Sequence, residues 1–164
     1  MRRLALLLLL VGLAGCGGAQ GAAVRVRVDA GGLTGQIATG APVERGQVMT
    51  VAHVLDGARA VRVDGRAARV LRVDRRRDLA WLAADVDERR FGDGLHVLRE
   101  GRPVTLRARV LRRVTATIDG RTRPALELDA RVEPGDSGAP LTRGGRVIGI
   151  VFARGAHSTW AVAL

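Results

Sequence analysis

From Val24 to Val28 the chain alternates valine and arginine with a period of two, the pattern of a strand with one buried and one solvated face. Short apolar runs of similar character recur at residues 33–38, 48–52, 60–63, 68–73 and 79–83. A polar break around 85–94 follows, and the runs resume at 104–110, 114–118, 126–132, 146–152 and 159–162. Turn signals separate them: Asp64-Gly65, Asp119-Gly120, Pro134-Gly135-Asp136 and Gly144-Gly145. No stretch carries a sustained 3.6-residue apolar repeat. About six strands are therefore expected on each side of a break near residue 90. Many short strands with regular turns predict an all-β barrel or sandwich, not a parallel α/β sheet.

Composition narrows the class. With 164 residues, 47% of them hydrophobic, the chain has enough apolar surface for one domain or a compact two-lobed one. A single cysteine excludes an internal disulfide framework. The formal charge is +11, and all 27 basic residues are arginine. Those arginines are spread over alternating strand positions, as on a solvated barrel exterior. A nucleic-acid reader would concentrate its charge and supply aromatics for stacking, and only 2% of residues are aromatic, so nucleic acid is not an expected partner. The scattered histidines make no metal-ligand cluster, and His96 and His157 read as structural or surface residues. Gly31-Gly32 and Gly144-Gly145 lack the lysine and helix of a phosphate loop. Neither metal nor cofactor is expected.

Arg2 and Arg3 precede an apolar run at 4–13, too short to span a bilayer but of the length found in signal peptides. The run ends in Leu13-Ala14-Gly15-Cys16, which resembles the bacterial lipobox. The resemblance implies a signal peptide at 1–15 and cleavage before Cys16. It also implies acyl chains on the Cys16 thiol and the new amino terminus, with palmitate the class of lipid. Residues 16–23, small and polar, then form a lipidated tether. The expected location is the cell envelope, with the folded part on the periplasmic or extracellular face of a bacterial membrane.

Three short motifs carry candidate chemistry. Val48-Met49-Thr50-Val51-Ala52-His53 sets a histidine after an apolar strand. Arg77-Asp78-Leu79-Ala80-Trp81 sets an aspartate directly before one, with Asp74 a nearby rival. Glu133-Pro134-Gly135-Asp136-Ser137-Gly138-Ala139-Pro140 sets a serine in a glycine-flanked turn. A serine hydroxyl is a poor nucleophile until a hydrogen-bonded base takes its proton. Histidine does this near neutral pH, and a carboxylate on its other nitrogen fixes the tautomer. The oxyanion then needs preorganised donors, which neighbouring backbone amides can supply.

These motifs resemble those of the trypsin/chymotrypsin-like serine peptidases, especially the small bacterial HtrA-like and actinobacterial members. Thr50-Val51-Ala52-His53 is similar to their T-A-A-H, Asp78-Leu79-Ala80 to their D-[LI]-A, and Gly135 to Pro140 to their G-D-S-G-G-P, with Ala139 for glycine. The order His, Asp, Ser is also theirs. The resemblance implies a chymotrypsin-like double six-stranded β-barrel, with lobes at 24–90 and 91–164 and a catalytic cleft between them. It assigns His53 as general base and acid, Asp78 as orienter and Ser137 as nucleophile. The amides of Gly135 and Ser137 become the oxyanion hole. Arg131, Val132, Phe152, Ala153 and Arg154 become the primary substrate pocket, and an arginine there favours acidic or small side chains.

The implied activity is serine-type endopeptidase chemistry on polypeptides, carried out at a membrane through lipid on Cys16. The alternative is a catalytically weak or inactive peptide-binding or sensor lipoprotein on the same fold. A lipidated Cys16 leaves no free terminus to pair with Asp136 as in trypsin-style activation, so what holds Asp136 is open, and an activating partner is one answer.

Overall fold

Thirteen β-strands and one short 3-10 turn make up the computed structural model, which describes residues 23–31, 35–118 and 120–164 and has no α-helix among them. Residues 1–15 and Cys16, with the predicted lipid site, lie outside the described residues, as does most of the tether. No helix among the described residues is long and apolar enough to cross a membrane.

The strands β1 (Val24–Asp29), β2 (Gln36–Glu44), β3 (Gln47–Thr50), β4 (Ala60–Val63), β5 (Arg66–Asp74) and β6 (Leu79–Ala83) form a closed antiparallel barrel in the order β1-β2-β3-β6-β5-β4. The period-two reading of β1 holds: Val24, Val26 and Val28 are fully buried, and Arg25 and Arg27 are exposed. Burying each such valine is worth about 1.5–3 kcal/mol. Val26 pairs with Ala38 on β2 and Val63 on β4, so one residue of the closing strand sits on both seams.

The second lobe contains β7 (Gly94–Arg99), β8 (Arg102–Leu106), β9 (Val110–Ile118), β10 (Arg121–Leu128), β11 (Pro140–Arg143), β12 (Arg146–Arg154) and β13 (Thr159–Ala163). They pair in the order β8-β7-β11-β12-β13-β10-β9, seven strands where six were expected. Two of them, β7 and β11, fall outside the predicted runs. The predicted runs 104–110 and 126–132 are each cut short at the same place. The Arg109 amide donates to the Asp129 carboxylate at 2.6 Å, and the Asp129 amide donates to the Arg109 carbonyl at 3.1 Å. β8 ends at Leu106, opposite Leu95 near the start of β7, and β10 ends at Leu128, opposite Val110 at the start of β9.

One hydrophobic cluster fills the barrel and continues into the second sheet through Ala116, Ala125, Ile150, Phe152 and Val162. A second cluster, built on Leu95, Val97, Leu126, Leu128, Leu141 and Val151, lies within that sheet. Shared apolar packing holds the lobes together, and the candidate residues sit along the seam.

Candidate active site

His53 opens a 3-10 turn at His53–Leu55, directly beyond β3. Val54 and Leu55 are buried, while the His53 side chain keeps 41% of its surface open. Two apolar anchors thus hold a ring that faces outward. Asp78 ends the turn between β5 and β6 in the left-handed region, φ 59°, a conformation that aspartate tolerates better than most residues. Its side chain is 5% exposed.

The Asp78 carboxylate takes hold of His53 twice. Oδ2 accepts from Nδ1 of the ring at 2.8 Å, and Oδ1 accepts from the His53 backbone amide at 2.9 Å. The Asp78 carbonyl also accepts from the Ala52 amide at 3.2 Å. Burial alone would push the Asp78 carboxyl up. The His53 hydrogen bonds and ring charge, and after them the Arg123 charge, outweigh burial and hold it below the ordinary carboxylate range. An ionised carboxylate can only accept, so Nδ1 carries the proton and Nε2 presents its lone pair. The rival, Asp74, is spent locally: its Oδ1 accepts from the Arg77 amide at 3.0 Å.

Arg123, which the motifs did not indicate, also reaches Asp78. It rises from β10 in the other lobe, is 5% exposed at its side chain, and places Nη1 at 2.8 Å from the Oδ2 that His53 uses. The Phe152 ring lies under its guanidinium at 4.9 Å.

Ser137 is brought to the same seam by its backbone. The Thr39 amide on β2 donates to the Ser137 carbonyl at 2.8 Å, and the Thr39 hydroxyl donates to the Gly135 carbonyl at 2.8 Å. Thr50, three residues before His53, donates its hydroxyl to the Thr39 carbonyl at 2.8 Å. Thr39 therefore links the serine turn to the strand that ends in the histidine. Gly138, with φ 91°, lies so close to the Thr39 carbonyl and Thr50 Oγ1 that any Cβ would collide with both. The Ser137 hydroxyl and the His53 ring are not hydrogen-bonded to each other among the described residues. Such bonds are often long in unliganded sites and tighten around substrate.

Within the turn, Asp136 N donates to Glu133 O at 3.1 Å, Gly138 N to Val151 O at 2.8 Å, and Ala139 N to Asp136 O at 2.9 Å. The two remaining amides, of Gly135 and Ser137, donate to no acceptor among the described residues. Gly135 has φ 98°, open to glycine and strained for a side chain. Asp136 is held by Arg99 at the end of β7, with Nη1 at 2.6 Å from Oδ1 and Nη2 at 2.8 Å from Oδ2. Arg99 Nε adds a longer contact to Glu133 at 3.5 Å, and the Glu133 amide donates to Asp136 Oδ2 at 2.7 Å.

A cavity of about 220 Å³ lies between the segment that leads to the serine turn and the loop after β12. Of the five predicted pocket residues, Arg131, Val132 and Arg154 line it, joined by His157, Ser158 and Thr159. Phe152 and Ala153 do not. The pairing of β12 with β13 shifts between Val151 and Ala153, and at that bulge both side chains turn to the interlobe cluster. His96, by contrast, is buried in β7 and bonded within its own sheet. No group of three or more potential metal ligands occurs among the described residues.

No protein-family model matches the chain, and no curated relative matches it in sequence. Solved structures do match. The Rv3671c protease of M. tuberculosis, in its active form, is 25% identical, with a TM-score of 0.75 over 88% of this chain and 76% of that one. The MamO protease domain from Magnetospirillum magneticum is 21% identical, with a TM-score of 0.69 over 90% of this chain and 94% of that one. The HtrA-type protease AlgW with a tripeptide is 20% identical, with a TM-score of 0.71 over 89% of this chain and 57% of that one. The chain thus has the fold of the trypsin-like serine proteases, and its likeness to the Rv3671c protease supports a serine-type endopeptidase.

Proposed function

We propose that the chain is a lipid-anchored endopeptidase that cleaves polypeptides outside the cytoplasm by acyl-enzyme chemistry, using His53, Asp78 and Ser137. The observation that carries the reading is the Thr39 linkage, which binds the serine turn to the strand leading into His53 while Asp78 holds His53 from the other side. In this reading His53 Nε2 takes the Ser137 hydroxyl proton as Oγ bonds to the scissile carbonyl carbon. The oxyanion receives the Gly135 and Ser137 amides, and Asp78 stabilises the imidazolium without being protonated. Collapse breaks the C–N bond, and the amine leaves with the proton from Nε2. Water, activated by the same nitrogen, then releases the acid and restores Ser137.

The pocket at Arg131, Val132 and Arg154 takes the side chain preceding the cleaved bond. The two arginines make no ion pair among the described residues, which supports an acidic side chain there. Lipid on Cys16 tethers the enzyme to the envelope, since several acyl chains anchor stably where one binds only marginally.

The unbonded Ser137 hydroxyl favours a second reading, a peptide-binding module on the same fold. A fluorophosphonate probe separates the two. Stoichiometric labelling of the full chain that vanishes in Ser137→Ala establishes an assembled nucleophile; no labelling of the folded full chain overturns the peptidase reading. Cys16→Ser should move the protein from the membrane to the soluble fraction, and retention in the membrane refutes the anchor.

A further inference from the structure

The Asp78 carboxylate touches two cations from two directions, His53 beyond β3 and Arg123 on β10, and both use the same oxygen. The other charged groups nearby turn elsewhere: Arg77 donates to the Ala163 carbonyl at 3.0 Å, and Asp74 serves its own turn. Arg123 is an unusual arginine in this chain. The others on strands mostly face water, whereas Arg123 is 4% exposed and its Nε is buried without a hydrogen-bond partner among the described residues. An unmet buried donor costs stability, and a buried ion pair is seldom better for stability than apolar packing of the same volume. Stability alone is therefore a poor account of this residue, and its contact with Asp78 supplies a better one.

We propose that Arg123 is a positioning residue of the site: from the second lobe it anchors the Asp78 carboxylate and opposes the positive charge that His53 takes on during catalysis. Two effects follow from the shared oxygen. The carboxylate meets the His53 amide, the His53 ring and Arg123 together, so a side chain of the second lobe helps to hold the group that aims the ring. The two cationic nitrogens also sit within about 6 Å of each other through Oδ2, a separation at which a like charge disfavours protonation. An uncompensated His–Asp pair gains a full attraction when the ring is protonated; here Arg123 has already neutralised the carboxylate. Arg123 therefore opposes the charge that the ring takes on as a base, and as an acid the ring gives its proton to the leaving amine more readily.

The kinetic half of this inference rests on the proposed peptidase reading, whereas its electrostatic half does not. The experiment follows the His53 ring by NMR across pH in the full chain in detergent micelles, with His53→Gln assigning its signal among three histidines. Arg123→Met should raise the midpoint of the His53 titration by about one pH unit. Arg123→Gln, which can still donate to Asp78, should do the same and provides a folded comparison if the methionine variant does not fold. The acidic limb of fluorophosphonate labelling should move up by the same amount, so that on that limb the wild type reacts roughly tenfold faster than the variants. An unmoved titration in a folded variant overturns the assignment. In the wild type itself, slowly exchanging Arg123 Nη protons are expected, and fast exchange overturns the ion pair whatever the variants do. Loss of labelling specificity for Ser137 would sink the peptidase reading and leave the NMR result to decide Arg123 by itself.

Discussion

Arg99 grips Asp136 with both terminal nitrogens, a bidentate pair at 2.6 and 2.8 Å that reaches from the end of β7 into the serine turn. Asp136 is 2% exposed at its side chain and Arg99 is 26% exposed, so the carboxylate is the buried partner and depends on the fork for its charge balance. The strut is internal to the chain, so the turn needs no free amino terminus to hold it.

Arg99→Ala should destabilise the protein by about 3 kcal/mol, because it leaves a buried carboxylate with only the Glu133 amide for company. Labelling of Ser137 should fall further than folding loss explains, since the Gly135 and Ser137 amides follow Asp136. Arg99→Lys should recover stability better than labelling, as an ammonium restores charge without the fork. Urea melts beside labelling rates decide this, and an alanine variant that labels at the wild-type rate removes Arg99 from site assembly.

Asp78→Asn is expected to cut turnover by roughly 10⁴, through loss of the tautomer that leaves Nε2 free. It also strips Arg123 of its counter-charge, so adding Arg123→Met to Asp78→Asn should cost less stability than it does in the wild type. Kinetics with a peptide substrate and a double-mutant cycle by denaturation check the two halves. A small rate effect would move the orienting role away from Asp78, and Asp74, spent on Arg77, is poorly placed to take it.

Most of the fold is legible because strand alternation is a property of neighbouring residues, as in β1, where every second side chain meets the barrel interior. The His53, Asp78 and Ser137 motifs are legible for a similar reason, since each is a short local pattern. Arg99 and Arg123 are not, because 27 arginines give no compositional contrast and their partners lie far away in sequence. One signal was nevertheless present. Arg99 falls in phase with the buried Leu95 and Val97, and Arg123 in phase with the buried Ala125, so both occupy inward positions of their strands. The bulge that turns Phe152 away from the pocket depends on β13 pairing, which no local pattern encodes.

His96 makes stability depend on pH in a definite direction. Burial lowers its pKa, and the hydrogen bond to Gly92 offsets only part of that. Nε2 meets the Gly92 carbonyl at 3.0 Å and Thr142 Oγ1 at 2.8 Å, and Nδ1 lies 3.1 Å from Thr105 Oγ1, a set that suits the neutral ring. As pH falls below about 6.5, the unfolded chain takes up a proton that the folded chain refuses, and stability declines until the folded ring is protonated too. The slope from this one group is at most about 1.4 kcal/mol per pH unit. Urea midpoints at pH 7.5 and 5.5 should therefore converge more in His96→Gln than in the wild type, and an equal drop in both would assign the dependence to other groups.

The pocket beside the serine turn sets the last expectation. Arg131 and Arg154 line a cavity of about 220 Å³ with His157, and no carboxylate lines it. A lysine or arginine side chain entering there would meet like charge, whereas a glutamate or aspartate would meet two guanidinium groups. Both arginines are exposed, so each ion pair is worth about 0.5–1 kcal/mol, and together they give roughly tenfold preference for an acidic residue before the cleaved bond. Arg131→Ala and Arg154→Ala should each lose a few-fold of that preference, chiefly in kcat/KM for acidic substrates, with cleavage after small residues unchanged. High salt should erode it as well, because the pairs are open to solvent. A peptide library profiled by mass spectrometry reads all of this at once, and equal cutting after basic and acidic residues would mean that this cavity does not hold the side chain that selects the bond.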